Sequence, residues 1–180
     1  MGRINYTVLG GAARARKSED RGNAWLTPRE FVELVRAAMG GIIHLDPATE
    51  VGNPTGAFTF YTALDDGLYL PWWGNVFLNP PYSPLGPWVE KAIESAKAGA
   101  RIYMLVPVRT DAAYHQRLLA ASTDVLLLRG RLSFARPDVE ERPKPAAFGS
   151  MLVGLGGAST QPLNHLGVRL RACGVPKDGT

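Results

Sequence analysis

Four consecutive residues, Asn79-Pro80-Pro81-Tyr82, hold the chain's most suggestive chemistry. Asn79 offers an amide oxygen that accepts and an NH2 that donates. The carbonyl of Pro80 is an acceptor with no N–H of its own beside it, and Pro81 stiffens the turn that holds both acceptors. Tyr82 adds a flat ring. Two fixed acceptors and a ring suit an exocyclic amine on a planar heterocycle. The acceptors take both amino hydrogens and the ring covers the face. Such an amine is a poor nucleophile, because its lone pair is delocalised. Holding its hydrogens favours the pyramidal form, which can attack a methyl sulfonium in line. The protein's share is positioning and electrostatics. The plainer reading of the same residues is a rigid turn after a buried strand.

Several chemistries are disfavoured by composition. The only cysteine, Cys173, sits near the C-terminus, so an intramolecular disulfide is excluded and a thiolate nucleophile is not expected. Three scattered histidines, His44, His115 and His165, do not make a zinc constellation, and no metal is expected. No apolar run approaches the roughly 20 residues that span a bilayer, and the N-terminus lacks an apolar leader. A cytoplasmic protein without membrane contact is the expectation.

The net charge of +4 is unevenly spread: residues 1–21 hold five Arg/Lys against two acids, 22–128 hold seven against ten, and 129–180 hold eight against four. Basic flanks around a slightly acidic centre suit a polyanion held at the ends, and equally suit solvated termini.

These residues need elements to position them. "LTPREFVELVRAAMGG" reads as a helix with Thr27 as N-cap, Pro28 in the first turn and Glu30 closing a capping box. "IIHL" (42–45), "FTFYTA" (58–63), "NVFLN" (75–79), "RIYMLVPV" (101–108) and "DVLLLRG" (124–130) read as strands. "GPWVEKAIESAKAG" (86–99) and "DAAYHQRLLAAS" (111–122) read as helices, the second capped by Asp111, with His115 exposed. "RLSFA" and "AAFGSMLVGLG" read as a hairpin around the polar tip 136–145. Helices alternating with apolar strands predict a doubly wound α/β domain: a mostly parallel sheet with a C-terminal antiparallel hairpin. A flexible basic arm is expected over 1–22, one domain over 23–157 and a tail over 158–180. Asp46-Pro47, the 79–82 corner and the segment 107–111 each follow a strand, where such sheets bind ligands.

With these pieces in order, the chain resembles the phage-type DNA adenine N6-methyltransferases, which use S-adenosylmethionine. The resemblance covers 23–155 and rests on "WLTP", "HLDPA", "LDDGL", "NVFLNPPY", "GPWVEK", "LVPVRTD", "LLRGRLSF" and "KPAAFGSMLV". It implies a Rossmann-like methyltransferase fold. It implies that Asn79, Pro80, Pro81 and Tyr82 hold a target adenine, flipped out of DNA. It implies S-adenosylmethionine as cofactor, near Thr27, Pro28, Asp46, Pro47, Ala48, Asp65 or Asp66, and Asn79. Arg109, Arg129, Arg131, Arg136, Arg142 and Lys144, at strand ends or the hairpin tip, are candidates for DNA contact. A viral role against host restriction belongs to the same resemblance.

Each cofactor residue also has a structural reason to be there. Thr27-Pro28 starts a helix, Asp46 ends a strand, and Asp65-Asp66 precede a turn glycine. In wider relatives the loop after the first strand is glycine-rich, D-P-F-x-G-x-G. Here "DPATEVGNPTG" keeps Asp-Pro, with glycines only at 52 and 56. Asn-Pro-Pro-Tyr also serves methyl transfer to cytosine N4, to RNA and to protein glutamine. Those targets, and a nucleic-acid-binding module without catalysis, stand as alternatives.

Overall fold

The computed structural model describes residues 26–135 and 143–171. The arm 1–22, Trp25, Arg136, Arg142 and Cys173 lie outside the described residues.

Helix α1 (Arg29–Ala38) forms because Phe31, Val32 and Val35 fall on one face and are buried there. It ends in a Schellman turn. Gly40 sits at φ 84°, its N–H donates to Ala37 O, and the Gly41 N–H donates to Arg36 O. The start differs from the sequence expectation. Pro28, with ψ 131°, is itself the N-cap, and no side chain caps the helix. Thr27 therefore stands one residue outside, and Glu30 is too early in the helix to close a capping box.

The strands are β1 (Leu45–Asp46), β2 (Thr59–Phe60), β3 (Asn75–Leu78), β4 (Arg101–Pro107), β5 (Asp124–Leu128), β6 (Ser133–Phe134), β7 (Lys144–Pro145), β8 (Ser150–Leu155) and β9 (Gly167–Arg171). Helix α2 (Gly86–Lys97) lies between β3 and β4 in sequence, and α3 (Ala113–Ala121) between β4 and β5. Ala112, not Asp111, is the N-cap of α3, and no side chain caps that helix.

Seven strands make one sheet in the order β2-β1-β3-β4-β8-β5-β9. The pairs β2/β1, β1/β3 and β3/β4 are parallel, whereas β4/β8, β8/β5 and β5/β9 are antiparallel. This corrects the expected mostly parallel sheet with a terminal hairpin. The hairpin exists only as the small pair β6/β7. β8 leaves it and inserts between β4 and β5, because all six of its residues are buried and an edge hairpin could not cover both its faces. β9 lies within the stretch expected as a tail, yet it forms the sheet's far edge against β5. Its Arg169 pairs with the buried Asp124 at 2.7 Å.

The alternation of side chains along each strand separates two cores. Phe77, Tyr103, Leu105, Leu126 and Leu152 pack under α1. Val76, Leu78, Ile102, Met104, Val106, Met151 and Val153 pack on the opposite face with Val89 and Ala92 of α2 and Leu118 of α3. The sheet is thus covered on both sides, as its apolar strands require.

One histidine departs from expectation. His115 is fully buried on α3, with Nε2 2.7 Å from Pro107 O. Burial lowers its pKa, so the ring is neutral at physiological pH.

Candidate active site

β1 lies between β2 and β3, so the chain leaves β1 on one side and returns to it on the other. That reversal opens a crevice at the carboxyl ends of β1 and β3, where loops diverge in opposite directions. Leu45 is opposite Val76, so the segments after Asp46 and after Leu78 emerge side by side. Between them is a cleft of about 390 Å3. Thr27, Asp46, Pro47, Ala48 and Asp66 line one part, Asn79, Pro80, Pro81 and Tyr82 another, and Trp88 also borders it.

The first wall is a loop built on Asp46, which is 3% exposed. Thr55 Oγ1 donates to Asp46 Oδ2 at 2.7 Å, and the Ala48 N–H donates to Oδ1 at 3.1 Å. Burial is the strongest influence on this carboxyl and pushes its pKa from 3.8 up to about 6, against the opposing bonds from Thr55, Ala48 and Thr49.

A second loop, 62–72, closes against the first. A Cβ on Gly67 would stand 1.9 Å from Pro47 O, so only glycine allows the two backbones to touch. Trp72 pins the contact: its Nε1–H donates to Gly67 O at 2.7 Å, and its ring stacks on Trp88 at 6.1 Å. Within this loop the two candidate acids separate. The Asp65 carboxylate accepts from the N–H and hydroxyl of Thr62, both at 2.8 Å. These bonds hold its pKa below the usual carboxylate range. Asp66, at φ 56°, borders the cleft, while Asp65 and Pro28 do not.

The second wall is the proline corner. β3 is buried along all four residues and delivers Asn79 and Pro80 directly to the cleft. The Tyr82 hydroxyl is buried and has no hydrogen-bond partner among the described residues. Burial raises its pKa well above the ordinary value, so it stays a neutral donor. The Tyr82 ring meets Phe148 edge-on, with centroids 5.7 Å apart, and the Arg109 guanidinium lies 5.8 Å from the Phe148 centroid. Phe148 was not singled out from the sequence; its position in "KPAAFGSMLV" was the available signal.

Arg109 follows β4 and Arg129 follows β5. β4 and β5 are both antiparallel to β8 and so run the same way, which brings these exposed arginines to the sheet edge that carries the cleft. Arg131 is exposed nearby in sequence, and Lys144 belongs to β7. Among the described residues, no group of three or more His, Cys, Asp or Glu could hold a metal ion. No helix among them is long and apolar enough to cross a membrane.

Residues 14–167 match the model of a family described as DNA N-6-adenine-methyltransferase (Dam). A protein of Escherichia phage T1, named DNA N-6-adenine-methyltransferase, is 30% identical over 112 residues. That match takes in 61% of this chain and 46% of the phage protein, so the chain aligns with a little under half of its relative's length. By its family match over most of its length, the chain belongs to the DNA N-6-adenine-methyltransferase (Dam) family.

Proposed function

We propose that this protein transfers a methyl group from S-adenosylmethionine to the N6 amine of adenine in DNA, on a Rossmann-like methyltransferase fold. The observation that carries this reading is one cleft at the strand reversal that unites the Asn79–Tyr82 corner with the loops after β1 and β2. Its size falls in the range of small-molecule sites.

S-adenosylmethionine would supply an activated methyl group on a sulfonium. Thr27, Pro47, Ala48 and Asp66, which line the cleft, would hold it, with Asp46 behind them shaping the loop. Asn79 and Pro80 supply the acceptors for the two amino hydrogens, and Tyr82 supplies the stacking face. On this reading the site needs only acceptors and shape. Attack would form the N–CH3 bond as the sulfonium S–CH3 bond breaks, and the cationic amine, now acidic, would lose its proton to solvent.

The DNA would lie along the edge that presents Arg109 and Arg129, with Arg131 and Lys144 as further candidates and Arg136 and Arg142 outside the described residues. An adenine reaches the cleft only when it is turned out of the duplex.

Nucleoside mass spectrometry of DNA from cells expressing the full chain tests this. N6-methyladenine above the level in cells with Asn79→Ala is the expected result. N4-methylcytosine alone, or no methylated base, would overturn it.

A further inference from the structure

We propose that Arg36 and Thr55 are positioning residues for the cofactor side of the cleft. Arg36, on α1, takes over through Thr55 the part that glycines play in a glycine-rich loop. The inference rests on the cofactor reading above and deepens it.

The loop 46–57 has few glycines, so its backbone cannot wrap a ligand by conformational freedom alone. Side chains hold it instead. The Arg36 guanidinium donates to Thr55 O and, at 3.3 Å, to Gly56 O. Its Nε–H donates to Glu33 Oε2 at 3.1 Å, which keeps the fork aimed at the loop. Thr55, anchored by its carbonyl, then turns its hydroxyl inward to Asp46 Oδ2 at 2.7 Å. Asn53 closes the far end: its Oδ1 accepts from the Ala57 N–H at 3.1 Å and its Nδ2 donates to Ala57 O at 2.9 Å.

This chain of bonds runs from α1, through the loop, to the end of β1. Both Asp46 oxygens are engaged by donors within the loop, Thr55 on one and Ala48 on the other. Asp46 therefore sets the path of Pro47 and Ala48 along the cleft. Thr55 and Arg36 set Asp46. Thr55 has two jobs that need different atoms: its carbonyl receives the arginine and its hydroxyl reaches the acid. Valine keeps the first and loses the second. Serine keeps both.

Calorimetric titration of the full chain with S-adenosylmethionine, and with its demethylated product, is the test, alongside steady-state methylation of DNA. Thr55→Val lowers cofactor affinity by about tenfold or more, as expected for losing a hydrogen bond to a charged group. It raises the cofactor KM by a like factor, while kcat at saturating cofactor and the KM for DNA stay within about threefold. Thr55→Ser restores affinity to within about twofold of the parent. Arg36→Met shows the same split as Thr55→Val. Melting curves establish that each variant is folded; should Arg36→Met not fold, the valine and serine pair decides alone. Parent-like cofactor affinity in Thr55→Val, or a fall in kcat with affinity unchanged, would overturn this inference alone. No binding by the parent chain would overturn the functional reading as well.

Discussion

At the residue scale, the proposed reading gives three side chains distinct and separable roles. On the proposed reading, Asn79→Ala removes an acceptor for the amine that receives the methyl group. Transfer should fall by at least about a hundredfold, with affinity for the demethylated cofactor within a few-fold by calorimetry. Tyr82 offers a cleaner division. Its hydroxyl has no partner among the described residues, so Tyr82→Phe should leave folding stability equal or slightly higher in urea titrations. If Tyr82 stacks on the base as proposed, Tyr82→Ala loses about 1–3 kcal/mol of stacking and should weaken DNA turnover far more than the phenylalanine variant does. Asp46 governs a pH response. Its pKa rises from 3.8 in the unfolded chain to about 6 when folded, so the folded protein prefers its protonated form. The resulting stability is fully present below about pH 4 and is lost as pH rises through about 6, a change of about 3 kcal/mol. Asp46→Asn should flatten that part of the stability profile. An unchanged slope between pH 4 and 7 would refute this account.

At the scale of elements, the cleft depends on two loops whose backbones touch. Gly67 leaves no room for a side chain above Pro47 O, and Trp72 fastens the contact from its own loop. Gly67→Ala must push the loops apart. It should cost about 1–3 kcal/mol in folding stability and weaken cofactor binding more than DNA binding. Equilibrium unfolding and calorimetry on the same variant measure both. The elements were mostly legible in the sequence, because Phe31, Val32 and Val35 on α1 and the apolar runs of β3, β4 and β5 mark helix and strand by local period. Helix starts were less legible. Thr27 and Asp111 look like N-caps by residue type, but Pro28 and Ala112 occupy those positions. A proline with extended ψ can end the preceding segment by itself, which a pattern of polar residues does not reveal.

At the scale of the molecule, β9 and β8 complete a sheet that the N-terminal half could not close. Asp124 is the fastening point: it is 2% exposed and accepts from Arg169 Nε at 2.8 Å and from the Thr160 N–H at 2.9 Å. Burial pushes its carboxyl up, yet Arg169 and Thr160 outweigh this and hold the pKa below its ordinary value. This contribution has the opposite sign to that of Asp46. It is present above the unfolded pKa and is lost as pH falls through the lower folded one. Asp124→Ala should remove about 2–4 kcal/mol of stability near neutral pH, with early loss of amide protection in β9 by hydrogen exchange. If β9 keeps its protection, the carboxylate does not fasten that edge.

The sequence by itself determined the make-up of the corner. Two acceptors and a ring in four residues are a local property, and the strand before them is marked by its own apolar run. It also carried the resemblance that named the family. Only the tertiary structure decided what the corner faces. Asp46 and Asn79 are far apart in the chain and line one cleft because β1 and β3 are parallel neighbours. The burial of His115 and the insertion of β8 likewise depend on how the chain packs beyond its local pattern. Local period fixes which face of an element is apolar, but it does not say which other face will cover it. That choice belongs to the packing of the whole chain, and here it also brought Arg36 to the glycine-poor loop.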